Sequence, residues 1–183
     1  MSGQVPPRSI NNAYRITVTS TLPTRTKALL SQIPTIGITS SLSLKIHDVY
    51  FLEGNLTKQD LERLAAIICD PVSDSLKWQK IDDRVADLSQ EHCIEVALRP
   101  GVTDNVASQL LRAARQIGVN SLEAVATGQG YQFSGNISQE QLHQIARSFL
   151  VNDTIQRYTL GKIEPEFIKQ AETASISEAI SKP

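Results

Sequence analysis

The residues able to do chemistry in this chain are few and scattered. Histidine occurs at His47, His92 and His143, and cysteine at Cys69 and Cys93. A zinc site needs ligands grouped at short spacing. The one adjacent pair, His92-Cys93, falls in a strand pattern that sends its two side chains to opposite faces. Cys69 has no histidine placed to activate it and reads as a small core residue. Thr127-Gly128-Gln129-Gly130 has the glycines of a phosphate-cradling loop but lacks its lysine, and it stands between two strands, so it reads as a hairpin turn. Glu95 and Glu123 are strand residues assigned to a solvated face, and no two carboxylates stand out as an acid and base couple. Arg112 and Arg115 lie on the polar side of a helix. Arg99 and Asp104 flank a loop and are candidate partner-binding residues, although a helix cap accounts for Asp104 without one. No catalytic, cofactor-binding or metal-binding set emerges.

Composition narrows the class. Of 183 residues, 40% are hydrophobic and 20% charged, which favours a packed chain over a disordered one. The net charge of −1 gives no electrostatic case for nucleic acid or an anionic membrane surface. Aromatic residues make only 5%, and although Tyr131 and Phe133 have the spacing of RNA-stacking residues, core packing is the simpler account. No apolar run reaches the 18 or so residues of a membrane span. Residues 1–12 are polar, contain two prolines and lack a signal-peptide core. Two cysteines suit a reduced, cytoplasmic setting better than a disulfide scaffold.

The elements that must position these residues repeat. Residues 50–61 read YFLEGNLTKQDL and residues 131–142 read YQFSGNISQEQL, offset by 81. In each, a glycine (Gly54, Gly135) makes a turn where positive φ costs little. Thr57 and Ser138 stand at the N-cap, with Asp60 and Gln141 at the capping-box position three residues later. Leu56 and Leu61, like Ile137 and Leu142, have hydrophobic-staple spacing. The offset continues through Leu29-Leu30 and Leu110-Leu111, then drops to 78 at Ile16 and Ile94, so the second copy carries three extra residues in its 99–104 loop. This is an internal duplication of a unit of about 70 residues.

In chain order, residues 14–20 alternate as a strand, and 24–33 form a short helix cut off by Pro34. Residues 42–46 and 49–53 read as two strands joined by a turn at His47-Asp48, followed by the capped helix and a fourth strand at 75–81. The second copy repeats this with a strand at 92–98, a helix closed by Gly118 and a hairpin of 121–127 with 131–134. A second helix and a last strand at 154–160 complete it. Each copy thus reads β-α-β-β-α-β, an α+β ferredoxin-like unit. The expected layout is a tail (1–12), repeat 1 (13–81), a linker (82–91), repeat 2 (92–163) and a tail or linker (164–183). Units this small bury a marginal core alone. The two are therefore expected to pack together as an intramolecular pseudo-dimer of antiparallel sheets, sheet to sheet or edge to edge.

The second copy resembles PurS, the small-subunit family of phosphoribosylformylglycinamidine synthase, and the PurS-like segment fused ahead of some large subunits. The likeness is carried by Ile94-Glu95-Val96, Arg99-Pro100-Gly101-Val102-Thr103-Asp104, Gln116-Ile117-Gly118-Val119, Val125-Ala126-Thr127-Gly128 and Ile155-Gln156-Arg157-Tyr158. The first copy keeps the frame and Cys69-Asp70-Pro71-Val72 but lacks the proline-glycine-valine loop. Where the family commonly has a lysine after the hairpin glycine, this chain has Gln129, a third candidate partner-binding position. The resemblance implies a non-catalytic bridge in purine biosynthesis, between a glutaminase subunit that releases ammonia and a large ATP-dependent subunit that uses it. ATP and Mg are expected on that partner and no cofactor on this chain. Self-pairing in the family implies that the two repeats supply such a pair within one chain, with further self-association open. It also leaves open that the chain is the front piece of a fused enzyme. The competing reading, by fold analogy, is a regulatory small-molecule-binding module of paired ferredoxin-like units. A third, an acylphosphatase-like hydrolase, has only Arg99 in its favour.

Overall fold

A computed structural model describes residues 12–81 and 92–167. Residues 1–11 of the expected tail (1–12), the linker at 82–91 and the stretch 168–183 lie outside the described residues. The first repeat forms β1 (Ala13–Ser20), α1 (Thr24–Gln32), β2 (Leu42–Gly54), α2 (Lys58–Ile68) and β3 (Asp74–Lys80). The second forms β4 (Cys93–Leu98), α3 (Asn105–Gln116), β5 (Leu122–Gly135), α4 (Gln139–Ile145) and β6 (Gln156–Leu160). Both capping boxes are made: Thr57 and Ser138 accept from the backbone of Asp60 and Gln141, whose side chains return the bond. Gly54 and Gly135 take positive φ. The first helix ends at Gln32, just ahead of Pro34 as expected, and Pro34 then sits in the first turn of a 3-10 helix, Ile33–Ile36, where its missing N–H costs no bond.

The expected turns at His47-Asp48 and at Gly128-Gln129-Gly130 are not there. β2 and β5 run through both positions as single strands of 13 and 14 residues, paired antiparallel from Leu42↔Gly135 to Gly54↔Leu122. The polar and glycine residues that mimic turns have other causes. Asp48 lies opposite Gln129, its own counterpart at the 81-residue offset, so the pseudo-two-fold axis passes between them. Gly130 lies opposite His47, and a Cβ there would sit 1.9 Å from the imidazole Nε2. At Gly128 a Cβ would meet the Val96 carbonyl at 2.8 Å. These glycines give clearance, which sequence spacing does not distinguish from a turn.

One six-stranded antiparallel sheet results, in the order β3-β1-β2-β5-β4-β6. The expected fold class holds: two similar ferredoxin-like units are joined edge to edge in one open sheet. The two middle strands of each unit are merged into one, and the merger exchanges their parts. β1 pairs with 47–53 of β2, while the far half of β2 extends into the other repeat along β5. The same happens in reverse around β4, which pairs with 128–132 of β5. Each half-sheet is thereby completed by the other repeat.

The cores follow the exchange. Alternation places Leu44, Leu52, Val125 and Phe133 on one sheet face, under the helices. One buried cluster joins Ile16, Leu52, Leu61 and Leu64 of the first repeat to Leu110, Ala114 and Leu122 of the second. The other joins Leu29, Ile33 and Leu44 of the first to Ile94, Phe133, Leu142 and Ile145 of the second. Tyr131 and Phe133 are buried there, as core packing requires. Neither cluster belongs to one repeat. Leu110→Ala should therefore cost about 2–5 kcal/mol, read as one urea transition shifted as a whole, with faster amide exchange in β1 and α2. A split transition with the first repeat unmoved would show independent units.

Candidate functional site

Polar groups gather at three places in this frame. The first is the sheet face opposite the helices. Arg15 and Glu95 come from β1 and β4, with β2 and β5 lying between them. Arg15 donates from Nη1 and Nη2 to the two carboxylate oxygens of Glu95 at 3.0 and 2.5 Å, and its guanidinium lies 5.4 Å from the Phe51 ring centre. The Ile163 N–H donates to Glu95 Oε2 at 2.8 Å, and His47 Nε2 stands 3.8 Å from Oε1. Glu95 is fully buried, which corrects its assignment to a solvated face; Glu123 is exposed as expected. The cause is the chain after β6. Gly161 donates to the Cys93 carbonyl at 2.7 Å, and Ile163 packs with Val49, Phe51 and Phe167, roofing a third small core. The start of the expected tail, through Phe167, thus lies against the sheet. Alternation hides the role of Arg15, because it places the side chain opposite Ile16 and Val18, on the face that most antiparallel sheets leave wet. Apolar Val49 and Phe51 on that same face were the signal that it is covered.

Burial by itself would raise the Glu95 pKa, but the neighbouring His47 imidazole, the Arg15 hydrogen bonds and charge and the Ile163 N–H outweigh it and hold it below the usual carboxylate range. Burial pushes the Cys93 thiol up to about 12, so it is an inert core residue. The histidines remain apart: His47 beside Glu95, His143 Nδ1 2.9 Å from the Tyr158 hydroxyl, and His92 at the start of β4. No group of three or more His, Cys, Asp or Glu able to hold a metal is found among the described residues.

The second place is the pseudo-two-fold axis on the helix face. Gln129 Nε2 donates to Asp48 Oδ1 at 3.0 Å, and the Tyr131 hydroxyl donates to Gln129 Oε1 at 2.5 Å. Arg25 of α1 reaches Asp48 at 3.5 Å. Gln129 is therefore part of a polar seam joining the repeats.

The third place is a cleft of about 190 Å³ at the edge of β5. β4 ends its pairing at Gly128, and α3, the 98–104 loop and Pro165-Glu166 close around the edge beyond. Arg99 and Asp104 both line it; Gln129 does not. Asp104 caps α3 by accepting the Ala107 N–H at 2.8 Å, and its other oxygen accepts from the Thr127 N–H and hydroxyl at 2.9 and 2.8 Å. Exposed Arg99 donates Nε to the Asp153 carbonyl at 2.9 Å. Arg157, which spacing did not single out, donates Nη2 to the Glu164 carbonyl at 2.7 Å and pairs with Glu166 at 3.2 Å.

A carboxylate whose folded pKa is depressed stabilises fully above its unfolded value, near ~4.3, and that contribution is lost as pH falls through the folded value. Stability should therefore drop below about pH 4–5, and less steeply in Glu95→Gln. That variant, which leaves Arg15 buried and unpaired, should cost about 3–5 kcal/mol at neutral pH by urea unfolding. Unchanged stability would mean that the pair is solvated.

No curated protein matches the chain. Residues 91–164 match the family model described as PurS, phosphoribosylformylglycinamidine (FGAM) synthase. That segment holds the whole second repeat, the 98–104 loop and the Ile163 contact, and over those residues the chain is PurS-like.

Proposed function

We propose that this chain is a non-catalytic assembly component of phosphoribosylformylglycinamidine synthase in purine biosynthesis. It would bridge the glutaminase and the ATP-dependent large subunit and help ammonia pass between them, with ATP and Mg held by the large subunit. The observation that carries this reading is the family match over residues 91–164, joined to the pairing of that repeat with a second, similar unit. Duplication within one gene would supply the paired small subunits in one polypeptide. Arg99 and Gln129 are the proposed partner contacts, with Asp104 shaping the loop that presents Arg99. Gln129 stands at the axis, where one partner would meet both repeats.

Co-purification of the chain with the glutaminase and large subunit tests this, followed by assay of the amidine product. Glutamine-dependent activity should fall at least about tenfold without the chain, a loss of some 1.4 kcal/mol in coupling, while activity with free ammonia persists. Equal glutamine-dependent activity with and without the chain would remove the proposal.

A further inference from the structure

The cleft beside the 98–104 loop is a site in its own right. We propose that it binds a small anion, a carboxylate or a phosphate monoester, on Arg157 and Arg99, with Glu166 occupying the ligand's place in the structure described above. The chemistry of Arg157 is the starting point. Its Nη2 donates to the Glu164 carbonyl at 2.7 Å and meets the Glu166 carboxylate at 3.2 Å, yet its buried Nε has no hydrogen-bond partner. A guanidinium offers Nε and Nη2 as a planar fork that fits both oxygens of a carboxylate or phosphate. Glu166 reaches only one tine of that fork.

Charge points the same way. Two arginines and two carboxylates line the cleft. Asp104 already accepts three hydrogen bonds from its own loop, helix and strand, so its oxygens are taken. Glu166 is half-exposed, between core-packed Ile163 and Phe167, and its side chain can swing to solvent without moving either. With it withdrawn, the wall carries one net positive charge, which suits a small anion. Size limits the ligand further. About 190 Å³ is below the roughly 300–1,000 Å³ of drug-sized sites, and Phe51 and Leu111 give the cleft apolar walls. A ligand with one charged head and a short apolar body fits, and a nucleotide does not. The wall formed by the 98–104 loop includes the three residues that the first repeat lacks, so the site has no equivalent there.

The full chain should be titrated by calorimetry with butyrate and, separately, methyl phosphate, in a chloride buffer at neutral pH. Saturable one-to-one binding of either is expected, and which of the two binds assigns the head group. Arg157→Gln should weaken it about tenfold or more. Glu166→Gln, at an exposed position, should tighten it by roughly threefold or more, because it removes the competing carboxylate. Tightening is not expected if Glu166 merely supports the fold. Saturable binding of neither probe, or unchanged affinity in Glu166→Gln, would overturn the proposal.

Discussion

The antiparallel pairing of β2 with β5 is the constraint on which everything else depends. A slip of one residue would turn every side chain of one long strand to the opposite face. Both helix-side clusters would then lose members from one repeat, since each draws on Leu44 or Leu52 of β2 and on Phe133 or Val125 of β5. Polar contacts reinforce the register on both faces. On the helix side, Gln129 bonds Asp48 at the axis. On the opposite face, His47 fills the space over Gly130, and Arg15 reaches across two strands to Glu95. Buried ion pairs contribute little net stability, but a mispaired one is costly, so this pair acts mainly against wrong registers.

Two copies fused in one chain need not stay alike, and here they differ where they meet. Identical residues at the axis would set two carboxylates or two amides face to face. Asp48 and Gln129 instead form an acceptor and a donor. Arg15 corresponds to Cys93, and Glu95 to Thr17, so the buried charge pair exists once and not twice. The longer loop after β4 gives the second copy alone its cleft. The fold is nearly symmetric while its chemistry is concentrated in the second repeat, which is also the PurS-like one.

What could be read from the sequence was local. Cap, staple and glycine at the two GN motifs specify a strand end and a helix start within a few residues, and each formed as expected. Asp104 was recognised as a cap for the same reason. Strand continuity was not legible, because a glycine that makes room for an imidazole looks like a glycine that turns the chain. The burial of Glu95 was hidden as well, since it depends on Arg15, 80 residues away, and on the passage of Ile163 over the sheet. Arg157 gained meaning only when the segment after β6 placed Glu166 against it.

The shared cores can be tested most directly by separating the repeats. Residues 1–81 and 92–183 would be expressed apart, then studied singly and mixed by urea unfolding and sedimentation. Neither piece should exist as a cooperatively folded monomer, and mixing should restore a single transition at the midpoint of the intact chain. A monomeric half that unfolds cooperatively by itself would contradict the exchange of strands and helices between the two repeats.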